Sequence, residues 1–289
     1  MPTEPPPRED TYIFDPESGT EMVRLTKQHR IVTKHMGGLF PQEVDLSAVQ
    51  RVLDLACGPG GWVLDVAFAY PKIEVVGVDI SHAMTSYARA QTQVQGLHNA
   101  AFKTMNILKP LEFDDDSFDF VNARMLAGVL SPRDWPGLIQ ECKRILRPGG
   151  MLRLTEADDM GITNSAAFEQ LVITGANAAR KAGRSFFPEG RYSGTMAMLG
   201  RFLRSAGFQD IHQQAYMIDW SADAPSEAYA ASYENIMIAV HLLRSFMVGV
   251  GVISPERYDE LAQQAIIDMQ SPDFCAIGLF MSAWGKVDK

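Results

Sequence analysis

The chain of 289 residues is 46% hydrophobic and 21% charged, which is ordinary for a globular enzyme and is enough apolar material for one large core with additions. No apolar run approaches the roughly 18 residues a membrane span needs, so no membrane partner is expected. A formal charge of -9 works against a broad phosphate-binding surface, which is built from clustered Lys and Arg, so nucleic acid is not an expected partner either.

In chain order, MPTEPPPRED at residues 1–10 has three consecutive prolines and no apolar signal core; it reads as a disordered lead, and a cytoplasmic protein is expected. Residues 11–45 read as a helical arm, with helical spacing through Met22, Leu25 and His29. From 51 to 156 short apolar runs alternate with helix-like stretches. Strands are expected at 52–56, 73–79, 101–105, 118–123 and 151–156. In DWPGLIQECKRILRPGG, the residues Trp135, Leu138, Ile139, Cys142, Ile145 and Leu146 share one helical face, and Pro148-Gly149-Gly150 stops the helix. This alternation predicts an α/β fold: a parallel sheet with right-handed crossovers and helices on both faces. Further on, a helix stopped by Gly207 precedes a sixth strand near 211–218, and FCAIGLFMSAWGKV reads as a seventh. The cysteines, Cys57, Cys142 and Cys275, are odd in number and lack metal-ligand spacing, so neither a disulfide nor a metal site is expected.

The first strand runs into Cys57-Gly58-Pro59-Gly60-Gly61. In an open parallel sheet ligands sit beyond the carboxyl ends of the strands, and glycines there let a ligand approach the main chain closely. A simple tight turn would use the same residues. The second strand ends at Asp79, roughly 20 residues on, where a carboxylate can accept from both hydroxyls of a ribose; a helix cap shared with Ser81 is the plainer alternative. Together they point to a nucleoside-containing ligand. A dinucleotide fingerprint would need a third glycine where Val63 stands, which disfavours a nicotinamide cofactor.

With VLDLACGPGG, VVGVDIS, MNILKPLEFDDDSFDFVNAR and RILRPGGMLRLTE in that order over residues 50–156, the chain resembles the class I S-adenosylmethionine-dependent methyltransferases. The resemblance implies a Rossmann-like, seven-stranded, mostly parallel sheet, with a core domain over 46–289; the segments at about 157–195 and 219–273 depart from the family's plain fold and read as helical cap insertions. It implies S-adenosylmethionine as cofactor, with Ala56, Gly58 and Gly60 along its methionine portion and Asp54 supporting that loop. It also implies Asp79 on the ribose, and Ile80 and Met84 against the adenine. Asn106 stands where the family usually has Asp, and its amide oxygen can still accept from the adenine amino group. Ile107 would contribute its backbone N–H, and Arg124 its carbonyl. Core filling is the alternative for Ile80 and Met84, and Cys57 reads as a small filler.

The rest of the chain bears on the methyl acceptor. Tyr229, Tyr233, Ile236, Met237, Val240, Leu243, Met247 and Val250 form a helical stripe, followed by the helix start Ser254-Pro255-Glu256. Met160, Phe168, Phe186, Phe187 and Tyr192 lie in the other insertion. These segments and the N-terminal arm are expected to roof an aromatic-lined pocket for a small-molecule acceptor; each stripe could instead be helix core or an oligomer seam. A homo-oligomer is expected. A general base is needed only where the acceptor must lose a proton. Asp158 and His241 are the catalytic candidates, with Glu156, Tyr192 and His29 also in place. The expected activity is methyl transfer to an apolar, aromatic metabolite of specialised metabolism; the alternative is an S-adenosylmethionine-binding protein without methyl transfer.

Overall fold

Ser18 opens the first helix, its hydroxyl accepting from the Glu21 N–H at 3.4 Å, and α1 (Gly19–His35) follows. The structure is a computed structural model and describes residues 12–288; the expected lead at 1–10 lies outside them. After α1 come β1 (Arg51–Leu55), α2 (Gly61–Ala69), β2 (Glu74–Asp79), α3 (His82–Val94), β3 (Ala100–Thr104), β4 (Phe118–Arg124), α4 (Trp135–Ile145) and β5 (Leu146–Glu156). The second half holds β6 (Ile162–Thr163), α5 (Ala166–Lys181), α6 (Thr195–Ser205), β7 (Phe208–Asp219), α7 (Ser226–Gly249), α8 (Pro255–Met269) and β8 (Ala276–Val287).

The first five strands lie parallel in the order β3-β2-β1-β4-β5, and β8 then runs antiparallel to β5, with β7 antiparallel on its far side. This sheet has eight strands rather than the expected seven, because the two-residue β6 pairs with the start of β8 beyond the end of β5. In β1, Val52, Leu53, Asp54 and Leu55 are all buried, the mark of a strand covered on both faces. On one face α4 and α6 pack Trp135, Leu138, Ile139, Leu199 and Phe202 against the sheet, with Trp135 and Phe202 stacked at 5.0 Å. On the other face α2 buries Trp62, Val63 and Val66, and Phe40 meets both Trp62 and Phe120 edge-on.

Helices α1, α5, α7 and α8 share a separate apolar cluster built on Val32, Phe168, Leu171, Ile236, Val240, Tyr258 and Met269. Ile236, Val240 and Met247 of the α7 stripe are buried inside this cluster. Tyr229, Tyr233 and Leu243 of the same stripe pack against it. Tyr258 donates its hydroxyl to the Val240 carbonyl, and Tyr229 donates to Met269 O at 2.7 Å, which ties α7 to α8. Residues of α1, α5 and α7 share a cavity with the carboxyl ends of β1, β4 and β5, where a ligand of a parallel sheet is held.

Candidate active site

The turn after β1 is shaped by backbone conformation: Ala56, Gly58 and Gly60 have φ of 49°, 54° and 83°. Gly58 donates its N–H to Asp79 Oδ2 at 2.8 Å, and Ser81 donates its N–H to Asp79 Oδ1 at 2.9 Å. Ser81 itself caps α3, accepting from Met84 N at 3.0 Å. The cap is thus the serine, and the aspartate clamps the glycine turn to the end of β2. Each Asp79 oxygen keeps a lone pair for a further donor. Burial pushes the Asp79 carboxyl above its ordinary range, against the two N–H bonds that favour its charge.

A cavity of about 370 Å³ opens at this turn. Asp54, Ala56, Gly58, Asp79, Ile80, Met84, Asn106, Ile107 and Arg124 line it, so nine of the ten cofactor positions expected from the sequence are brought together. Gly60 is the exception. A Cβ there would meet the Phe102 ring at 2.7 Å and Ala88 at 2.9 Å, so Gly60 serves packing of the turn against α3 and β3. Asp54 is buried, accepts from Asn122 Nδ2 at 2.7 Å, and Asn122 in turn accepts from Arg153 Nε at 2.8 Å. Burial pushes the Asp54 carboxyl up to about 6, with Arg124 the leading opposing influence. Asn106 already accepts from the Leu108 N–H at 2.9 Å, closing a local turn that presents Ile107 to the cavity.

Arg124 contributes a side chain where only its carbonyl was expected. Its guanidinium donates to Thr33 Oγ1 at 3.2 Å and to His29 Nδ1 at 3.1 Å, while His29 Nε2 lies 2.8 Å from Asp65 Oδ2. These bonds pin α1 to β4 and α2. The same helix presses on the glycine turn: Leu25 would stand 3.1 Å from a Cβ on Gly58, and the His29 ring 2.5 Å from one on Gly61. Glu17 reaches the start of α3, accepting from the N–H groups of His82 and Ala83 at 3.0 and 3.1 Å. Sequence periodicity could place Leu25 and His29 on one face of a helix, but Glu17, Thr33 and Asp65 carried no signal of this roof.

The catalytic candidates separate. His241 is exposed on α7 and is not among the residues lining the cavity, because the buried face of that helix is set by Ile236, Val240 and Met247. Asp158 does line it, and accepts from Ser193 Oγ at 3.1 Å and Met196 N at 3.0 Å, which makes it an anchor for the start of α6. Tyr192 is 38% exposed and lies outside the lining. Both ring nitrogens of His29 are engaged. Glu156, at the end of β5, is buried against the cavity and accepts from Leu126 N at 2.6 Å and Ala127 N at 3.2 Å.

Beyond these groups the cavity continues into an apolar lobe walled by Val32 of α1, by Leu171, Val172 and Ala176 of α5, and by Leu243 and Met247 of α7. The α5 face, which sequence reasoning passed over, recurs at helical spacing and was readable only as core.

Residues 52–150 match the model of a methyltransferase domain. The order of elements, the glycine turn, the acid at the end of β2 and the apolar slot of Ile80, Met84 and Ile107 suit a nucleoside sulfonium, and residues 52–150 carry a methyltransferase domain of the S-adenosylmethionine-dependent kind. The chain is 29% identical over 224 residues to methyltransferase pytC of Aspergillus terreus, a match that covers 74% of this chain and 63% of that relative. A demethylmenaquinone methyltransferase of Geobacillus kaustophilus is 33% identical over 103 residues, 35% of this chain and 43% of the relative. In fold the chain is similar to a phosphoethanolamine N-methyltransferase of Haemonchus contortus solved with S-adenosyl-L-methionine, at a TM-score of 0.52 and 17% identity, over 94% of this chain and 57% of that one. Among the described residues no helix is long and apolar enough to cross a membrane.

Proposed function

We propose that this protein transfers a methyl group from S-adenosylmethionine to a small or medium-sized, apolar, aromatic metabolite. The observation that carries the reading is the continuity of one cavity, from the glycine turn and Asp79 at one end to the apolar lobe between α1, α5 and α7 at the other. When bound, the sulfonium supplies an activated methyl group, so little covalent chemistry is asked of the protein. What its residues contribute is alignment and exclusion of water. In this reading Asp79 holds the ribose, Ile80, Met84 and Ile107 hold the purine, and α1 covers the turn so that the acceptor meets the donor away from solvent; their common place along one cavity supports it. The name of the Geobacillus relative gives demethylmenaquinone as its acceptor, which is consistent with an apolar ring compound here.

The test is calorimetric binding of S-adenosylmethionine and S-adenosylhomocysteine, with NAD as control, to wild type and Asp79→Asn. Micromolar binding of both sulfur ligands, weakened at least tenfold in the variant, and mass-detected addition of one CH2 to members of an aromatic library, are the expected results. Binding without transfer to any acceptor would mark a cofactor-binding protein that does not methylate, and preference for NAD would overturn the reading.

A further inference from the structure

Four of the five acids along the cavity are committed elsewhere. Asp54 is bonded to Asn122, Asp79 clamps the glycine turn, Asp158 anchors α6, and Asp159 pairs with Arg191 while accepting from Gly161 N. Glu156 differs in its partners and its place. Its side chain is 1% exposed to solvent, both its hydrogen bonds come from uncharged backbone N–H groups, and the charge that acts on it is that of Asp158, of like sign. The two donors are the first residues of the short 3-10 turn Leu126–Gly128, brought round by Met125 in the left-handed region at φ 59°. Each oxygen takes one N–H and retains a lone pair, and the residue lines the cavity.

The register sets where this carboxyl stands. β4 lies between β1 and β5, with Leu55 opposite Ala123 and Arg124 opposite Thr155. Glu156 is therefore two strand spacings, roughly 10 Å, from the glycine turn. That separation leaves room for a donor over β1 and an acceptor beside β5. The other charged or titratable groups around it are Asp158 and Asp159 beyond β5, Arg124 at the end of β4, His29 of α1, Tyr12, which packs on Gly128 and is bonded with Arg24 to Glu21, and Arg184 after α5, which donates to Gly128 O at 2.9 Å.

We propose that Glu156 takes the proton from a hydroxyl of the acceptor, so that the methyl group is delivered to oxygen of a phenol or enol with an otherwise apolar body. This rests on the methyl-transfer reading above. The acceptor oxygen–methyl bond forms as the sulfur–methyl bond breaks, with that bond's electron pair left on sulfur. The hydroxyl proton passes to the Glu156 carboxylate, which returns it to water once product leaves. A hydroxyl is the acceptor that most needs such a base, since an apolar lobe disfavours its ionisation, whereas a neutral amine attacks with its own lone pair. Burial, the dominant influence, pushes the Glu156 carboxyl up to about 8, closer to a phenol near 10 than an ordinary carboxylate is. Activity should accordingly rise with pH through about 8, as the carboxylate forms.

The experiment uses the full chain with S-adenosylmethionine and a panel of phenols and hydroxynaphthalenes of graded acidity. Glu156→Gln keeps an oxygen for the Leu126 N–H but cannot accept a proton. It should bind S-adenosylhomocysteine within about twofold of wild type, lose roughly 100-fold or more in kcat on weakly acidic phenols, and recover as the phenol becomes ionised in solution. A readout independent of turnover is infrared titration of the S-adenosylhomocysteine complex. A protonated carboxyl band should disappear through about pH 8 in wild type and be missing from Glu156→Gln. If that variant does not fold, Glu156→Asp, with both oxygens retained, should keep the basic limb at reduced kcat, and the wild-type infrared titration still decides. An unchanged pH profile in Glu156→Gln, an equal loss across the whole phenol panel, an absent band, or transfer only to amines would overturn the proposal. Failure of the wild type to bind S-adenosylmethionine would instead overturn the methyl-transfer reading itself.

Discussion

At the scale of single residues, the site is built around carboxylates held in unlike surroundings. Asp54 illustrates the cost. It is 3% exposed, and burial outweighs the help of Arg124, Asn122 and Arg153, so its folded carboxyl binds a proton more tightly than the unfolded one. A raised folded value means the penalty is absent below the ordinary carboxylate range, grows as pH rises from about 4, and is complete above about 6. The roughly hundred-fold difference in proton affinity is worth about 3 kcal/mol as an upper bound. Asp54→Asn keeps an oxygen for Asn122 Nδ2 and removes the penalty. Thermal melts should therefore show the variant level with wild type near pH 4 and progressively more stable up to pH 6 to 7, and an equal difference at all pH values would refute that account. Why a chain would keep a destabilising acid is then a matter of function, since Asp54 borders the cavity beside the glycine turn.

Among elements, α1 has the greatest consequence for the site. It is held by few but specific contacts: the Arg124–His29–Asp65 series, Glu17 on α3, and ion pairs from Lys27 and Lys34 to Glu234 and Glu227 of α7. The two α7 pairs are largely exposed and contribute little. Gly61 is where the roof meets the site most closely. Gly61→Ala would drive a methyl group into the His29 ring, with the sheet core untouched. Faster hydrogen exchange across residues 19–35, weaker S-adenosylhomocysteine binding and a small change in melting temperature are the expected outcome. If exchange in that helix stayed as in wild type, α1 would not be a roof whose seating depends on this contact. This element also shows the limit of reading a sequence locally. The helix itself followed from the spacing of Met22, Leu25 and His29, yet its docking depends on Thr33, Asp65 and Arg124, which stand far apart in the chain and carry no pattern in common.

For the whole molecule, the proposed reading gives the glycine-turn end of the cavity to the cofactor and the lobe between α1, α5 and α7 to the acceptor. Gly175 of α5 lines the apolar lobe proposed for the acceptor, where a Cβ would come 3.0 Å from the flexible tip of Met247. Gly175→Leu should fill that lobe. The kcat/KM for bulky acceptors is expected to fall at least tenfold with S-adenosylhomocysteine affinity held within about twofold; equal weakening of both would mean the ends are not independent. Much of this organisation was legible in the sequence, and for a definite reason. The parallel strands, the glycine turn and Asp79 depend on short-range features: buried apolar runs, positive φ at Gly58, and an acid at the end of the next strand. Nine of the ten residues expected around a cofactor line one cavity because they lie at or just beyond strand ends whose order is dictated by connection rules. The tertiary structure decided the rest. Only packing shows that Gly60 faces Phe102 and Ala88, that α7 turns His241 outward and Met247 inward, that Asp158 is occupied by the start of α6, and that Glu156 meets the turn after β4. A helix or loop bears several chemically competent side chains, and which of them meets the cavity is settled by how its apolar face docks on distant parts of the chain.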